Sequence, residues 1–483
     1  MRKRRRYSTT GPATHRPDAS QPTTSRREEA EWEAAVAAWD VLETKIDDEQ
    51  THINDIKPPP PPPSRPAALH VHVCSALSQR ATQHRRLRRG QRWSKQPDEI
   101  LAQHGAAGVV SEWSSCAMLL RQQRLFDRRA ERACWLSTSH SAAARLAVSS
   151  HGGDVVLSER AWTEGWTTEW EQLVVGKGKG GAVLDLVFPQ DNILVTCGHD
   201  GAVRKHDVEQ ATPIASISTA DLGSTTRPGF ECDHWFTCLS ATPDGRMMLA
   251  GCNQGWLTCL DGDCGLNWRC QLHSNKSKIT SVARHPHLEH VVATGGTDRR
   301  LRIWDLRKLG QSAAGGAYSP LAEWRFDSSV NSVSWSPCGG HRLLVTAQQG
   351  ELHVLEQPLI RGPGSPGAHS IAQHAHRFYQ HLTPFRATWH PMSDRVMCIG
   401  RYPAKGSVDP TQGIDLYTVS LGSAATTDEG VAGGIECQLS GRLGTCVNGV
   451  QAGGCAWSPD GNFLASLTGH SVVVYTIDSG CTA

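Results

Sequence analysis

Residues 374–391 read HAHRFYQHLTPFRATWHP, and inside them Arg377, Phe378, Tyr379, Gln380 and His381 set a guanidinium, two rings, an amide and an imidazole side by side. Such a group suits nucleic acid: rings replace stacked bases, Gln and His meet base edges, and Arg meets phosphate. Most aromatic side chains are packing groups, so a polar connecting loop whose rings fold back on the protein accounts for the same five residues. Trp389 and His390 are assigned to the strand that follows and to its turn.

No other constellation offers bond-making chemistry. Residues 176–181, GKGKGG, resemble a phosphate cradle but lack the Lys-Ser/Thr ending and the helix of a P-loop. His285, His287, His290 and His390 stand beside turns without the spacing of a zinc site, and no nucleophile elbow surrounds a serine. The chain is read as a binding protein, with no catalytic residue, no metal and no cofactor expected.

What must hold the 374–391 segment is a repeat. An apolar strand, a Pro-containing turn, a strand of small residues, an Asp-Gly-like turn and a third strand recur from residue 183, and again at 236–260, 279–305, 330–354, 385–419 and 455–475. A degenerate copy at 133–157 brings the number to seven. A period of about 40–50 residues with Trp304-Asp305 at one strand end marks WD40 blades, and seven of them close a ring. The expected fold is an all-β, seven-bladed WD40 β-propeller over 126–483. The turns Pro243-Asp244-Gly245 and Pro459-Asp460-Gly461 supply the dihedrals that tight hairpins need.

Ahead of the repeats the composition changes. Residues 1–66 read as a disordered tail, with a basic start (MRKRRR), an acidic stretch at 28–48 and a polyproline spacer at 58–63. Residues 28–45 carry apolar groups at helical spacing within it. The basic start fits either a nuclear address or a solvated tail. Residues 67–89 and 109–125 are expected to be two helices, with Val110, Trp113, Ala117 and Leu120 on one side of the second. A net charge of +2 does not by itself announce a nucleic-acid binder. No window is long and apolar enough for a bilayer, so a soluble intracellular protein with no membrane partner is expected. The 16 cysteines include no CxxC pair, and several lie in apolar strand patterns, as buried thiols of a reducing compartment would.

Three segments together carry a closer resemblance: Phe126-Asp127-Arg128-Arg129-Ala130, Ile303-Trp304-Asp305-Leu306-Arg307, and residues 376–391 with Gly400-Arg401-Tyr402-Pro403. Over residues 67–483, and with Trp235-Phe236 added, the chain resembles the small WD40 subunit of the heterodimeric UV-damaged-DNA-binding complex. The resemblance implies a sensor of lesions in nucleotide excision repair that acts in the nucleus, on chromatin, as a non-catalytic substrate receptor of a cullin-RING ubiquitin ligase. Its DNA partner would be damaged duplex. A hairpin bearing Phe-Gln-His enters the minor groove in that family, and the matching triplet here is Tyr379-Gln380-His381. By the same resemblance Arg128, Lys278 and Arg377 would hold phosphates, and Trp235 would lie near the extruded nucleotides.

Trp304, Asp305 and Arg307 match the Trp-Asp-x-Arg box that supports docking to the large adaptor subunit of the complex, with the two expected helices entering the adaptor's cleft. Three positions depart from the family: Tyr379 replaces Phe, His151 stands where a Lys is usual, and Gly413 where an Arg is usual, so two phosphate contacts would be weakened. The competing reading is a WD40 receptor or chromatin scaffold that keeps the adaptor contact but reads a protein instead of DNA.

Overall fold

The computed structural model describes the chain between residues 118 and 476, apart from short stretches of which the longest are 125–129, 137–142, 174–180, 223–233, 310–317, 375–385, 402–412 and 445–453. All described residues lie in one compact unit, 66–483. Their strands form seven four-stranded antiparallel sheets and one small hairpin, Ala425–Thr427 with Gly430–Ala432. The inner strands of the first five sheets are Ala130–Leu136, Val183–Gln190, Phe236–Ala241, Ile279–Arg284 and Val330–Trp335, followed by Thr388–Trp389 and Cys455–Trp457. Successive inner strands touch around a ring, which makes the fold a seven-bladed propeller.

Small residues let the blades approach. A Cβ added to Gly251 would fall 2.8 Å from the Ile279 side chain, and one added to Gly295 would fall 2.5 Å from Val330, each in the next blade. Hydroxyls tie the same strands: Thr237 donates to the Ile279 carbonyl and Thr280 to the Val330 carbonyl. Apolar clusters fill the wedges between sheets, such as Val203, Phe236, Met248 and Leu260 between the second and third blades. Cys238 and Cys270 belong to this packing, and burial pushes both thiols up to about 12, which keeps them protonated and inert.

Of the expected helix over 109–125, only residues 118–124 are described, and they are not helical. Met118–Arg124 is a strand, paired with Ser471–Thr476 as the outer strand of the seventh blade. The propeller therefore starts at or before residue 118, not at 126. The last blade takes its fourth strand from ahead of the first blade, and that long-range pairing outweighs local helical spacing. The other expected elements before residue 118 lie outside the described residues.

Strand direction fixes what faces where. Each inner strand begins at one end of the ring, called here the front, so outer-to-inner connections and second-to-third turns lie at the front. First-to-second and third-to-fourth turns lie at the back.

Candidate nucleic-acid interface

Trp235 directly precedes the inner strand of the third blade and is therefore a front residue. Asn253, from the turn beside it, fixes its backbone: the Trp235 N–H donates to Asn253 Oδ1 (3.0 Å) and the Asn253 N–H donates to the Trp235 carbonyl (3.1 Å). His199, in the front turn of the second blade, meets the indole edge-on at 5.2 Å between ring centres, and His151 of the first blade lies 6.4 Å from His199. Three rings thus run across three blades. His151, read from sequence as a lost cation, is part of that row.

Lys278 stands at the same end, immediately before the fourth inner strand. Its N–H donates to Thr297 Oγ1 and its carbonyl accepts from the Thr297 N–H, both at 2.9 Å. Gly413 opens the third strand of the sixth blade, also at the front. A Cβ there would sit 2.4 Å from the Leu443 carbonyl oxygen. Close approach of two strands needs this glycine, and an arginine would not fit the same backbone.

Arg128, Arg377, Tyr379, Gln380 and His381 lie outside the described residues, but the residues flanking their segments are defined. Arg128 belongs to the connection between Met118–Arg124 and Ala130–Leu136, an outer-to-inner connection. The 375–385 segment joins the outer strand His369–Gln373 to the inner strand Thr388–Trp389. On its near side His374 is 3% exposed, with Nδ1 3.1 Å from the Tyr417 hydroxyl and Nε2 3.2 Å from the Gly400 carbonyl. Burial holds this imidazole at about 4, so it is neutral at pH 7. Asp415 lies 3.5 Å from it and accepts from Arg442 at 2.6 Å, while Arg401 is buried 4.0 Å from the same carboxylate.

On the far side Arg386 crosses the channel. Its guanidinium donates to both Asp185 oxygens, of the second blade, at 3.2 and 3.3 Å, and to the Thr280 carbonyl of the fourth at 3.4 Å. Asp185 also accepts from the Leu239 N–H (2.9 Å) and lies 3.9 Å from Arg132. One carboxylate thereby links four blades at the hub, and Arg386 adds a fifth through Thr280. Neither Arg386 nor Asp185 belongs to a motif; the legible signal is a carboxylate inside the apolar run Val183-Leu184-Asp185-Leu186. Trp389 and His390 fall as expected, in the short strand Thr388–Trp389 and its turn: Trp389 donates to the Ser334 carbonyl (3.0 Å) and buried His390 packs on Trp457 at 4.7 Å.

Trp304, Asp305 and Arg307 lie at the back, where the third strand Arg300–Asp305 of the fourth blade runs into the helical turn Leu306–Leu309. Trp304 is no surface contact. It is 2% exposed and donates to Thr294 Oγ1 (2.9 Å), which also meets His273 Nε2 (2.9 Å), while His273 Nδ1 reaches Asp298 at 2.9 Å. This Trp-Thr-His-Asp chain runs through the blade from back to front. Burial alone would raise the Asp298 carboxyl, but His273 and Arg302 outweigh it and hold it at about 2. Arg307 does reach solvent, 65% exposed, and grips Asp305 through Nε (2.9 Å) and Nη2 (2.7 Å). That fork pulls the Asp305 carboxyl below its ordinary range.

Among known proteins, the family model described as WD domain, G-beta repeat matches residues 267–305, the span that holds this buried chain of groups. The DNA damage-binding protein 2 of Bos taurus is 29% identical over 361 residues, 74% of this chain and 74% of its own length. That of Mus musculus is 28% identical, covering 74% and 73%, and that of Gallus gallus 29%, covering 74% and 64%. A chain of a solved mitotic checkpoint complex shares the fold alone, with a TM-score of 0.50, 15% identity, and coverage of 74% of this chain and 92% of its own. Blade count, strand order and these similarities make the chain a seven-bladed WD40 propeller that resembles DNA damage-binding protein 2.

Proposed function

We propose that this chain recognises ultraviolet lesions in double-stranded DNA with the front of its propeller and recruits a ubiquitin ligase adaptor with the back. The observation that carries the reading is the segregation of residue types. Trp235 and Lys278 lie at the front, and Arg128 and the Arg377–Tyr379–Gln380–His381 group belong to connections that leave from and return to that end. Arg307 lies at the opposite end. One molecule can therefore hold a duplex and a protein without competition.

In this reading Tyr379, Gln380 and His381 enter the minor groove where stacking is already weak. A photodimer or an abasic site costs less to unstack than sound duplex, so deformability supplies the selectivity. The Tyr379 ring fills the vacated space and its hydroxyl keeps a water or finds an acceptor in the groove. Arg128, Arg377 and Lys278 neutralise phosphates, and Trp235 with His199 and His151 offers ring faces and edges beside them. His374 and Arg386 hold the two ends of the 375–385 segment on different blades, which lowers the entropy to be lost on insertion.

Arg307, presented by Asp305, would meet the large adaptor subunit, and through it a cullin-RING ligase would modify neighbouring chromatin proteins in the nucleus during nucleotide excision repair. The chain itself needs no catalytic group for this role. The test is binding to duplexes that differ only by one photodimer, with the parent and with a Tyr379→Ala/Gln380→Ala/His381→Ala variant. Preference for the damaged duplex in the parent, lost in the variant, supports the reading; equal affinity of the parent for both duplexes refutes it.

A further inference from the structure

The front of the fourth blade carries cations that the lesion-reading residues do not account for. In the second to fifth blades the front turn between second and third strands is three residues long: HDG at 199–201, NQG at 253–255, TDR at 297–299 and QQG at 348–350. Its last residue is left-handed, with φ of 72° at Gly201, 78° at Gly255, 62° at Arg299 and 84° at Gly350. Glycine takes this conformation freely, whereas a side chain is strained in it. The fourth blade places an arginine there. A second cation, Lys276, holds φ of 69° in the turn just before Lys278. Among the described residues these are the two left-handed side chains at the front.

Backbone contacts gather this group. The Phe326 N–H donates to the Arg299 carbonyl (2.9 Å), which brings exposed Arg325 beside Arg299, and Thr297 is bonded to Lys278. The blade's carboxylates are largely spent: Asp298 is held by His273 and Arg302, and Glu323 by Arg300 and Arg302. Asp327 is the exposed carboxylate nearby. No ion pair among the described residues engages Lys276, Arg299 or Arg325. A left-handed arginine where the second, third and fifth blades carry glycine is a local strain that the turn itself does not require.

We infer that Lys276, Arg299 and Arg325 form a second phosphate-contacting patch that holds the duplex outside the lesion and contributes affinity without contributing selectivity. This rests on DNA binding at the front of the propeller. Three phosphates neutralised would steepen the salt dependence by about 0.9 each in the logarithmic slope.

The experiment compares the full-length parent with Lys276→Gln/Arg299→Gln/Arg325→Gln and with the charge-keeping Lys276→Arg/Arg299→Lys/Arg325→Lys, on photodimer and intact duplexes over a series of potassium chloride concentrations. The neutral variant is expected to lose about three from the salt slope and to bind both duplexes more weakly by the same factor, so the damaged-to-intact ratio stays that of the parent. The charge-keeping variant should behave as the parent does. Unchanged affinity and slope in the neutral variant, beside a parent that binds, would overturn the inference alone and leave the patch to an acidic protein. A changed ratio would overturn it too, by assigning these cations to the lesion. A parent that binds neither duplex removes the reading beneath it as well.

Discussion

Arg307 shows how one motif divides between fold and function. Its guanidinium is mostly in water although the Asp305 carboxylate that it grips is buried, and a pair open to solvent on one side contributes about 1 kcal/mol to stability. Arg307→Ala should therefore leave the melting temperature nearly unchanged while co-purification with the large adaptor subunit falls several-fold; full recovery of the adaptor would refute the assignment. Trp304, three positions earlier, has the opposite character, because its indole is consumed inside the blade by Thr294. The letters Trp-Asp read the same in sequence whether they pack or dock. What separates them is the position of each side chain relative to the sheet, which depends on the neighbouring strands.

At the scale of elements, the inner strands were legible from their apolar runs and turns, while the contacts across the channel were not. Asp185 and Arg386 are 201 residues apart in sequence, and no local pattern pairs them. Removing one partner of a buried pair costs about 3–5 kcal/mol, and less for Arg386, whose side chain is 22% exposed. Asp185→Ala is expected to destabilise more than Arg386→Ala, because it also strips the Leu239 N–H and the charge beside Arg132. The double variant should lose less than the sum of the two. Thermal or denaturant unfolding of the three variants checks this, and strict additivity would show that the pair does not interact. The outer strand Met118–Arg124 teaches the same lesson: ring closure selects a strand where spacing alone pointed to a helix.

For the whole molecule, burial of imidazoles sets the response to acid. His206, His285, His374 and His390 are each held at about 4 by burial, below the 6.5 of a free imidazole. Between those values the unfolded chain binds more protons than the folded one, so stability is fully present above about pH 6.5 and is lost as pH falls toward 4. Each such histidine contributes up to about 1.4 kcal/mol per pH unit in that window. The melting temperature should drop steeply from pH 7 to 5, and a flat profile would contradict the assignment. Seven blades could be counted in the sequence because each repeats one apolar grammar. The division into a front and a back became visible only when strand direction put Trp235 and Lys278 at one end and Arg307 at the other. Damage reading by the front is measured by the ratio of affinities for duplexes with and without a single photodimer. A ratio well above one in the parent that collapses toward one in Tyr379→Ala/Gln380→Ala/His381→Ala is the predicted result; a ratio of one in the parent would contradict it.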